Sequence, residues 1–230
     1  MIYLSLALAP VFALVLYIYY RDKHDREPLG MLLRSFIAGI ISIIPAAIIE
    51  YKFGIEDKNS LMTTAYATFL VIAGAEEVSK YVFMRRIAYH HKAFNEPFDG
   101  IVYCVMVSMG FAAAENVMYV FQSEDPMNTA IMRMFTAVPA HFTFAVIMGY
   151  YIGLAKYNPS RGLEYTLKGI FGAMFFHGLY DFCLIQQVFP FIAAGAVVSL
   201  LLAIRLSYKA MRMQSENSKN FMENEQPNIE

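Results

Sequence analysis

Residues 61–84 read LMTTAYATFLVIAGAEEVSKYVFM, an apolar run that is interrupted by Glu76, Glu77 and Lys80. At about 1.5 Å of rise per residue, a helix of this length reaches across a hydrocarbon core of roughly 30 Å. A charge near the centre of a bilayer costs about 2.5–3.5 kcal/mol on insertion scales, so each charge in this run needs a partner or a function. The stretch therefore predicts a membrane-spanning helix that carries part of a site.

The rest of the chain also has the composition of a membrane protein. Of its 230 residues, 58% are hydrophobic and 16% are charged, whereas soluble domains are about half apolar and about a quarter charged. Apolar stretches long enough to cross a bilayer recur, which predicts an all-α bundle of about seven transmembrane helices. The predicted spans are residues 2–20, 31–50, 61–84, 98–122, 127–155, 166–187 and 189–208. A net charge of −1 predicts no nucleic-acid partner. The apolar spans predict that the lipid bilayer surrounds the protein.

The basic residues are divided unequally between the two sides of these spans. Lys52, Lys58 and Arg133 lie on one side, and Lys80 is embedded. The other side holds Arg21, Lys23, Arg26, Arg34, Arg85, Arg86, Lys92, Lys156, Arg161, Lys168, Arg205, Lys209, Arg212 and Lys219. Because cytoplasmic connections are rich in Lys and Arg, the amino terminus is predicted to be outside and the carboxyl terminus cytoplasmic. Residues 211–230 are polar and predict a disordered cytoplasmic tail.

Three further predicted spans carry ionisable side chains. Glu115 lies in FAAAEN, His141 in PAHF, and His177 and Asp181 in HGLYD. Glu76 and Lys80 are four residues apart, as are His177 and Asp181, so each pair shares a helix face. These groups predict one polar cavity that is enclosed by spans three to six.

The depths of these groups in the membrane are predicted to differ. By helical rise, His141 and His177 lie near the middle of the bilayer. Glu76 lies nearer the cytoplasm and Glu115 nearer the outside. Only helix tilt, kinks or different helix ends would bring the two glutamates to one level.

Carboxylates and imidazoles in such a cavity favour hydrolysis, with a peptide bond as the expected target. Glu76 or Glu77 could act as a general base toward water, and an imidazole could orient that water or stabilise an oxyanion. His141, His177 and Glu115 together form a ligand set that catalytic zinc accepts. A zinc mechanism with a glutamate base and a metal-free glutamate mechanism are both compatible with these residues.

The same residues also have structural and non-hydrolytic interpretations. Either glutamate with Lys80 could be a buried ion pair, and Glu115 or His141 could bond across helices. From other functional classes, the alternatives are an ion-coupled transporter that relays protons and a non-catalytic membrane scaffold.

The ordered motifs EExxK (residues 76–80), FxxxE (111–115) and HxxxD (177–181) resemble those of the PrsW family of bacterial membrane proteases. That family is similar to the wider group of CAAX-processing and bacteriocin-processing intramembrane proteases. The resemblance also takes in Glu27-Pro28, Phe98-Asp99-Gly100 and the His141 segment. It implies a protease domain over residues 1–210 in the bacterial cell membrane. It further implies site-1 cleavage of a single-pass, membrane-anchored anti-sigma factor, which starts the release of an extracytoplasmic-function sigma factor.

The resemblance also implies roles for individual residues. Glu76 and Glu77 match the paired catalytic glutamates, and His177 matches the essential histidine of the third motif. Glu115 and Asp181 stand where the CAAX-type relatives have histidine and often asparagine, and an acidic second motif is the better cation ligand. The predicted catalytic set is Glu76, Glu77, Lys80, Glu115, His177 and Asp181, with His141, His177 and Glu115 as ligands of a possible Zn²⁺.

Overall fold

The structure, a computed structural model, describes residues 1–54 and 60–225, and within these ranges it contains helices and no strands. The helices are α1 (Ile2–Arg21), α2 (Leu29–Phe53), α3 (Leu61–Ala65), α4 (Ala73–Met84), α5 (Asp99–Gln122), α6 (Pro126–Phe135), α7 (Ala137–Tyr157), α8 (Gly162–Ile185) and α9 (Ala194–Glu225). Short 3₁₀ turns, Pro159–Arg161 and Pro190–Ala193, precede the last two helices. The all-α prediction is confirmed. Lys58 and residues 226–230 of the predicted tail lie outside the described residues.

Six continuous helical stretches of the described chain are long and apolar enough to cross a membrane. They are Ile2–Arg21, Leu29–Phe53, Leu61–Tyr89, Asp99–Gln122, Pro126–Tyr157 and Pro190–Asn224. The sixth predicted span corresponds to α8, which packs against α4, α7 and α9. Its apolar character is weakened by Glu164, Lys168, His177 and Asp181. The count of seven spans and the orientation of the termini therefore stay predictions.

The helix from Leu61 to Tyr89 contains two wider π-helical segments. Tyr66–Ile72 lies between α3 and α4, and Arg85–Tyr89 follows α4. Such segments shift the register of the side chains and are frequent at functional sites. The first one ends directly before α4, the helix that carries both glutamates of the EExxK motif.

Helix α5 is the central helix and is buried over most of its length. It packs against α1, α2, α4 and α7. A Cβ at Gly110 would meet the backbone of Phe36 on α2, and a Cβ at Gly149 on α7 would meet the backbone of Gly100. Since small residues let membrane helices approach closely, the contact of Gly149 with Gly100 brings α7 near enough to α5 for their polar side chains to meet.

The last helix continues well beyond the predicted seventh span. Residues 211–225, which the sequence predicts to be disordered, are helical as part of α9. Gln214 Nε2 donates to the carbonyl of Pro97 at 2.8 Å, and Ser218 Oγ accepts from the N–H of Phe98 at 2.8 Å. Both side chains are fully buried. The connection before α5 therefore holds this polar segment in place.

Candidate active site

The three charged side chains of α4 meet in one buried contact. Lys80 Nζ donates to Glu76 Oε2 at 2.9 Å and to Glu77 Oε1 at 2.8 Å. The side chains of Glu76, Glu77 and Lys80 are 6%, 1% and 3% exposed. Spacings of four and three residues bring both carboxylates to one ammonium group. Because buried charges persist only when they are paired, Lys80 compensates one of the two negative charges.

His177 joins this group from α8. Its Nδ1 lies 2.9 Å from Glu77 Oε1, and its Nε2 lies 3.3 Å from Asp181 Oδ2 and 4.0 Å from Glu76 Oε2. The sequence predicts that His177 and Asp181 share a helix face, and their side chains are indeed in contact. Phe144 of α7 stacks on the imidazole with 5.1 Å between ring centroids. Carboxylates at both nitrogens and a ring on one face fix the orientation of this imidazole.

His141 on α7 connects the same group to Glu115 on α5. Its Nδ1 lies 3.3 Å from Lys80 Nζ, and its Nε2 lies 2.7 Å from Glu115 Oε2. An ammonium group can only donate, so Nδ1 accepts and the proton of the neutral ring lies on Nε2, where Glu115 accepts it. The lone pair of Nδ1 is therefore directed at the charged group of α4.

Glu115 does not contact the charged group of α4 directly in the described chain, and its depth relative to Glu76 stays a prediction. The contacts of Glu115 in the described chain are with His141 and with Arg133, whose Nη2 lies 2.9 Å from Glu115 Oε2. An imidazole ring thus separates it from the contact that surrounds Lys80. Phe111, one turn earlier on α5, has its ring centroid 4.1 Å from Lys80 Nζ. Both ends of the FxxxE motif therefore face the site, but from different sides of His141.

Arg133 on α6 also belongs to this site, whereas the sequence predicts it only as a charge near the outer end of the span 127–155. Its Nε donates to Asn116 Oδ1 at 2.5 Å, in addition to the contact with Glu115. The guanidinium lies 4.2 Å from the ring centroid of Tyr119, and the side chain is only 16% exposed. The signal in the sequence was a basic residue on the side predicted to be poor in Lys and Arg, shortly before His141.

A cavity of about 510 Å³ opens beside these groups. Its acidic, basic and imidazole-bearing lining residues are Glu50, Glu76, Glu115, Arg133, His141, His177 and Asp181. Helix α2 contributes Glu50 together with Ile43 and Ala47, so the cavity is enclosed by more helices than the predicted spans three to six. Nothing in the sequence distinguishes Glu50 from an ordinary charge at a membrane surface, since it stands at the end of its predicted span beside Tyr51 and Lys52. Among the paired glutamates of α4, only Glu76 borders the open space.

Four buried side chains of the described chain could hold a metal ion together. One donor atom from each of Glu76, Glu77, His141 and His177 lies within 4.8 Å of all the others. Two carboxylates and two imidazoles are a donor set that Zn²⁺ accepts. The ammonium of Lys80 already contacts three of these four residues, so the position favours positive charge. The donor chemistry therefore fits a divalent transition metal.

The observed donor group differs from the predicted ligand set in one part. His141 and His177 belong to both sets, whereas Glu115 lies on the opposite side of the His141 ring and pairs with Arg133. In this geometry Glu115 contacts His141, one member of the donor group, from outside that group.

Comparison with known proteins places these motifs in a family context. The profile of the family described as PrsW family intramembrane metalloprotease matches residues 27–208. The chain is 36% identical to Protease PrsW of Geobacillus kaustophilus over 184 residues, which is 80% of each chain. It is 34% identical to Protease PrsW of Shouchella clausii over 213 residues, or 90% of this chain and 95% of the relative. Protease PrsW of Clostridioides difficile is 30% identical over 227 residues, covering 95% of this chain and 94% of the relative. No solved structure matches the chain.

Proposed function

This chain belongs to the PrsW family of intramembrane metalloproteases, and we propose that it makes the site-1 cut in a membrane-anchored anti-sigma factor. It is a multi-pass peptidase of the cell membrane, and its substrate is embedded in the same bilayer. The cut starts the release of an extracytoplasmic-function sigma factor. In this proposal residues 1–210 form the protease domain, seven helices cross the membrane, and the amino terminus lies outside.

The observation that carries the proposal is the position of Glu76. Its carboxylate borders the cavity, whereas that of Glu77 is bonded to Lys80 and His177 and does not line the open space. A general base must reach water in the cavity and the substrate carbonyl beside it. We therefore assign the base to Glu76, and to Glu77 the task of holding Lys80 and His177.

The proposed reaction is hydrolysis of one peptide bond. Glu76 takes a proton from water as the hydroxyl adds to the carbonyl carbon, and it returns that proton to the nitrogen of the leaving amine. Glu77, His141 and His177 are the residues that would hold a metal ion, which supplies a Lewis acid when bound. Glu115 keeps the proton of His141 on Nε2, and Arg133 holds Glu115 in place.

The test uses purified full-length protein in lipid nanodiscs with a single-pass anti-sigma factor from the same genome. We expect one cut in the substrate, loss of that cut with EDTA, and its return with Zn²⁺. The Glu77→Gln variant should not cut under any of these conditions. A transporter or a scaffold would leave the substrate intact in every arm, and that result would refute the proposal.

A further inference from the structure

A second group of buried acids lies far from the candidate active site. Asp22 and Glu27 belong to the connection between α1 and α2, and Glu96 and Asp99 to the start of α5; we call these four residues the junction cluster. Their exposed fractions are 1%, 4%, 0% and 0%. Asp99 begins α5, and Glu115 lies about 24 Å further along the axis of the same helix. The junction cluster is therefore a separate site.

The acids of the junction cluster face one another in two pairs. The carboxyl group of Asp22 lies against that of Glu96, and the carboxyl group of Glu27 lies against that of Asp99. The hydroxyl of Tyr103 donates to Glu27 Oε2. Neighbouring pairs also interact, since Asp22 acts electrostatically on Glu27, and Glu96 on Asp99.

Most oxygens of the junction cluster lack a well-aligned hydrogen-bond donor. Asp99 Oδ2 accepts from the N–H groups of Asn95 and Glu96 at 2.7 and 2.8 Å. Both oxygens of Asp22, both of Glu96 and Oδ1 of Asp99 have no donor in full hydrogen-bonding geometry, although the backbone N–H of Glu27 acts on Asp22 and the hydroxyl of Ser218 acts on Glu96. They are five of the eight buried side-chain polar atoms in the described chain without such a hydrogen bond; another is Arg133 Nη2, which meets Glu115 as an ion pair. A buried polar atom without a partner is expensive, so their concentration in one place indicates a missing positive group.

The basic residues nearby do not supply that charge. In residues 1–54 and 60–225, none of the four carboxyl groups forms an ion pair. Lys156 is close enough to act on Asp99 and Glu27 electrostatically, but its Nζ donates to the carbonyl of Tyr89 at 2.7 Å and lies over the ring of Phe94. Arg26 stacks on Tyr19 and Tyr20 and acts on Asp22 electrostatically, without forming an ion pair with it.

The raised pKa values of these acids also indicate that a positive group is missing from the junction cluster. Burial, followed by the charge of Asp22, raises the pKa of Glu96 to about 8. Burial likewise raises the pKa of Asp22 to about 6 and that of Glu27 to about 7. The fully ionised cluster is therefore unfavourable unless positive charge enters it.

We propose that the junction cluster binds a hard divalent cation, with Ca²⁺ and Mg²⁺ as the candidate ions. All of its donors are oxygens from carboxylates, with a phenol and a serine hydroxyl adjacent, and oxygen-only sites select these ions over zinc. A cation here would bridge the two acid pairs. It would thereby join the connection after α1 to the start of α5, where Ser218 and Gln214 of α9 are also bonded.

The experiment measures the thermal stability of full-length protein in detergent, first stripped with EDTA and then titrated with CaCl₂ or MgCl₂. We expect one of the two ions to raise the melting temperature by roughly 5 °C or more near saturation. The rise should persist in Glu77→Gln, whose active-site donor set is altered, and be absent in Asp22→Asn/Glu96→Gln. The matched control is Glu216→Gln, which alters an exposed acid between Gln214 and Ser218 on α9. It should respond like the wild type.

The double variant should fold, since amides of the same shape remove repulsion between the acids. Calorimetric titration provides the second measurement and should give one Ca²⁺ or Mg²⁺ per chain in wild type and Glu77→Gln. If the double variant does not fold, the single variants Asp22→Asn and Glu96→Gln are titrated in the same way, and each should bind at least tenfold more weakly. Equal responses in wild type and the cluster variants would overturn the proposal, as would the lack of any response to either ion. Stabilisation of stripped protein by lower pH alone, with no effect of cations, would assign shared protons to the cluster and also overturn it.

Discussion

The imidazole of His141 joins Glu115 to the charged group of α4, with 2.7 Å between Nε2 and Glu115 Oε2 and 3.3 Å between Nδ1 and Lys80 Nζ. Since Lys80 can only donate, Nδ1 of the neutral ring accepts from Lys80, and Nε2–H donates a hydrogen bond to Glu115. The second-motif glutamate is thus one imidazole removed from the paired glutamates. This relationship leads to the first two predictions.

Removing the carboxylate that fixes His141 should impair the enzyme without abolishing its fold. For Glu115→Gln we expect cleavage to fall by about 10- to 100-fold, with a parallel loss of metal affinity, because outer contacts of ligating histidines have effects of this size. Cleavage of the anti-sigma substrate and metal content are measured on the same preparation. Glu164→Gln, an exposed acid paired with Arg161 and Lys168, is the control and should match the wild type. Unchanged metal binding and turnover in Glu115→Gln would show that Glu115 does not orient His141.

Arg133 should be needed as a guanidinium and not merely as a positive charge. It reaches Glu115 through Nη2 and Asn116 through Nε at once, a geometry that lysine cannot reproduce. We expect Arg133→Lys and Arg133→Gln each to lower kcat by roughly tenfold, since hydrogen bonds to charged groups contribute about 1.5–3 kcal/mol. The exposed Arg161→Gln is the matched control. Full activity in Arg133→Lys would mean that charge alone suffices.

The residues assigned to chemistry should be required individually. Glu76→Gln, Glu77→Gln and His177→Ala are each expected to abolish cleavage, because each removes a proton acceptor or a donor atom of the four-residue group. Expression and membrane insertion should stay near wild type, which is checked by immunoblotting of washed membranes. Near-wild-type turnover in all three variants would refute the site assignment.

Active preparations should contain a transition metal. We expect close to one equivalent of zinc or a similar ion per chain, measured by plasma mass spectrometry, and a marked loss in His141→Ala because Nδ1 faces the donor group. Cleavage should decline as EDTA removes the ion. Fully active enzyme with less than about a tenth of an equivalent of metal would instead favour a water activated by glutamate alone.

The orientation of the chain can be tested by labelling introduced cysteines on intact cells. Both natural cysteines, Cys104 and Cys183, are buried and free, so the background should be low. Glu124 and Ser160 are exposed and lie in connections on opposite sides of the predicted bilayer. A membrane-impermeant maleimide should label Glu124→Cys before lysis and Ser160→Cys only after it. The reverse order would invert the predicted topology.

Much of the site could be predicted from the sequence because its signals are local. Long apolar runs are costly in water, which determines the membrane class. Charges inside such runs are costly in lipid, which singled out Glu76, Glu77 and His177. Helical spacing of four residues predicted the contacts of Glu76 with Lys80 and of His177 with Asp181, and both are present at 2.9 and 3.3 Å.

Other members of the site depend on helix packing that the sequence does not encode locally. Glu50 comes to the cavity from α2, and Arg133 turns inward from the short helix α6. Each looked like a charge near a membrane surface. The position of Glu115 beyond His141 depends on how α5 and α7 cross, and that crossing is decided by close contacts such as Gly100 with Gly149.

Tertiary structure alone also decided that the polar segment 211–225 is helical. Composition predicted a disordered tail, yet Gln214 and Ser218 are buried because the backbone at Pro97 and Phe98 satisfies their hydrogen bonds. In the sequence Asp22 and Glu96 look like ordinary charges in connections between helices, but the fold buries them side by side. Sequence by itself determined which side chains are too polar for the bilayer, since transfer energy is a property of each residue. Which of them meet was decided by contacts between residues far apart in the chain, because partners at such separations are set by packing.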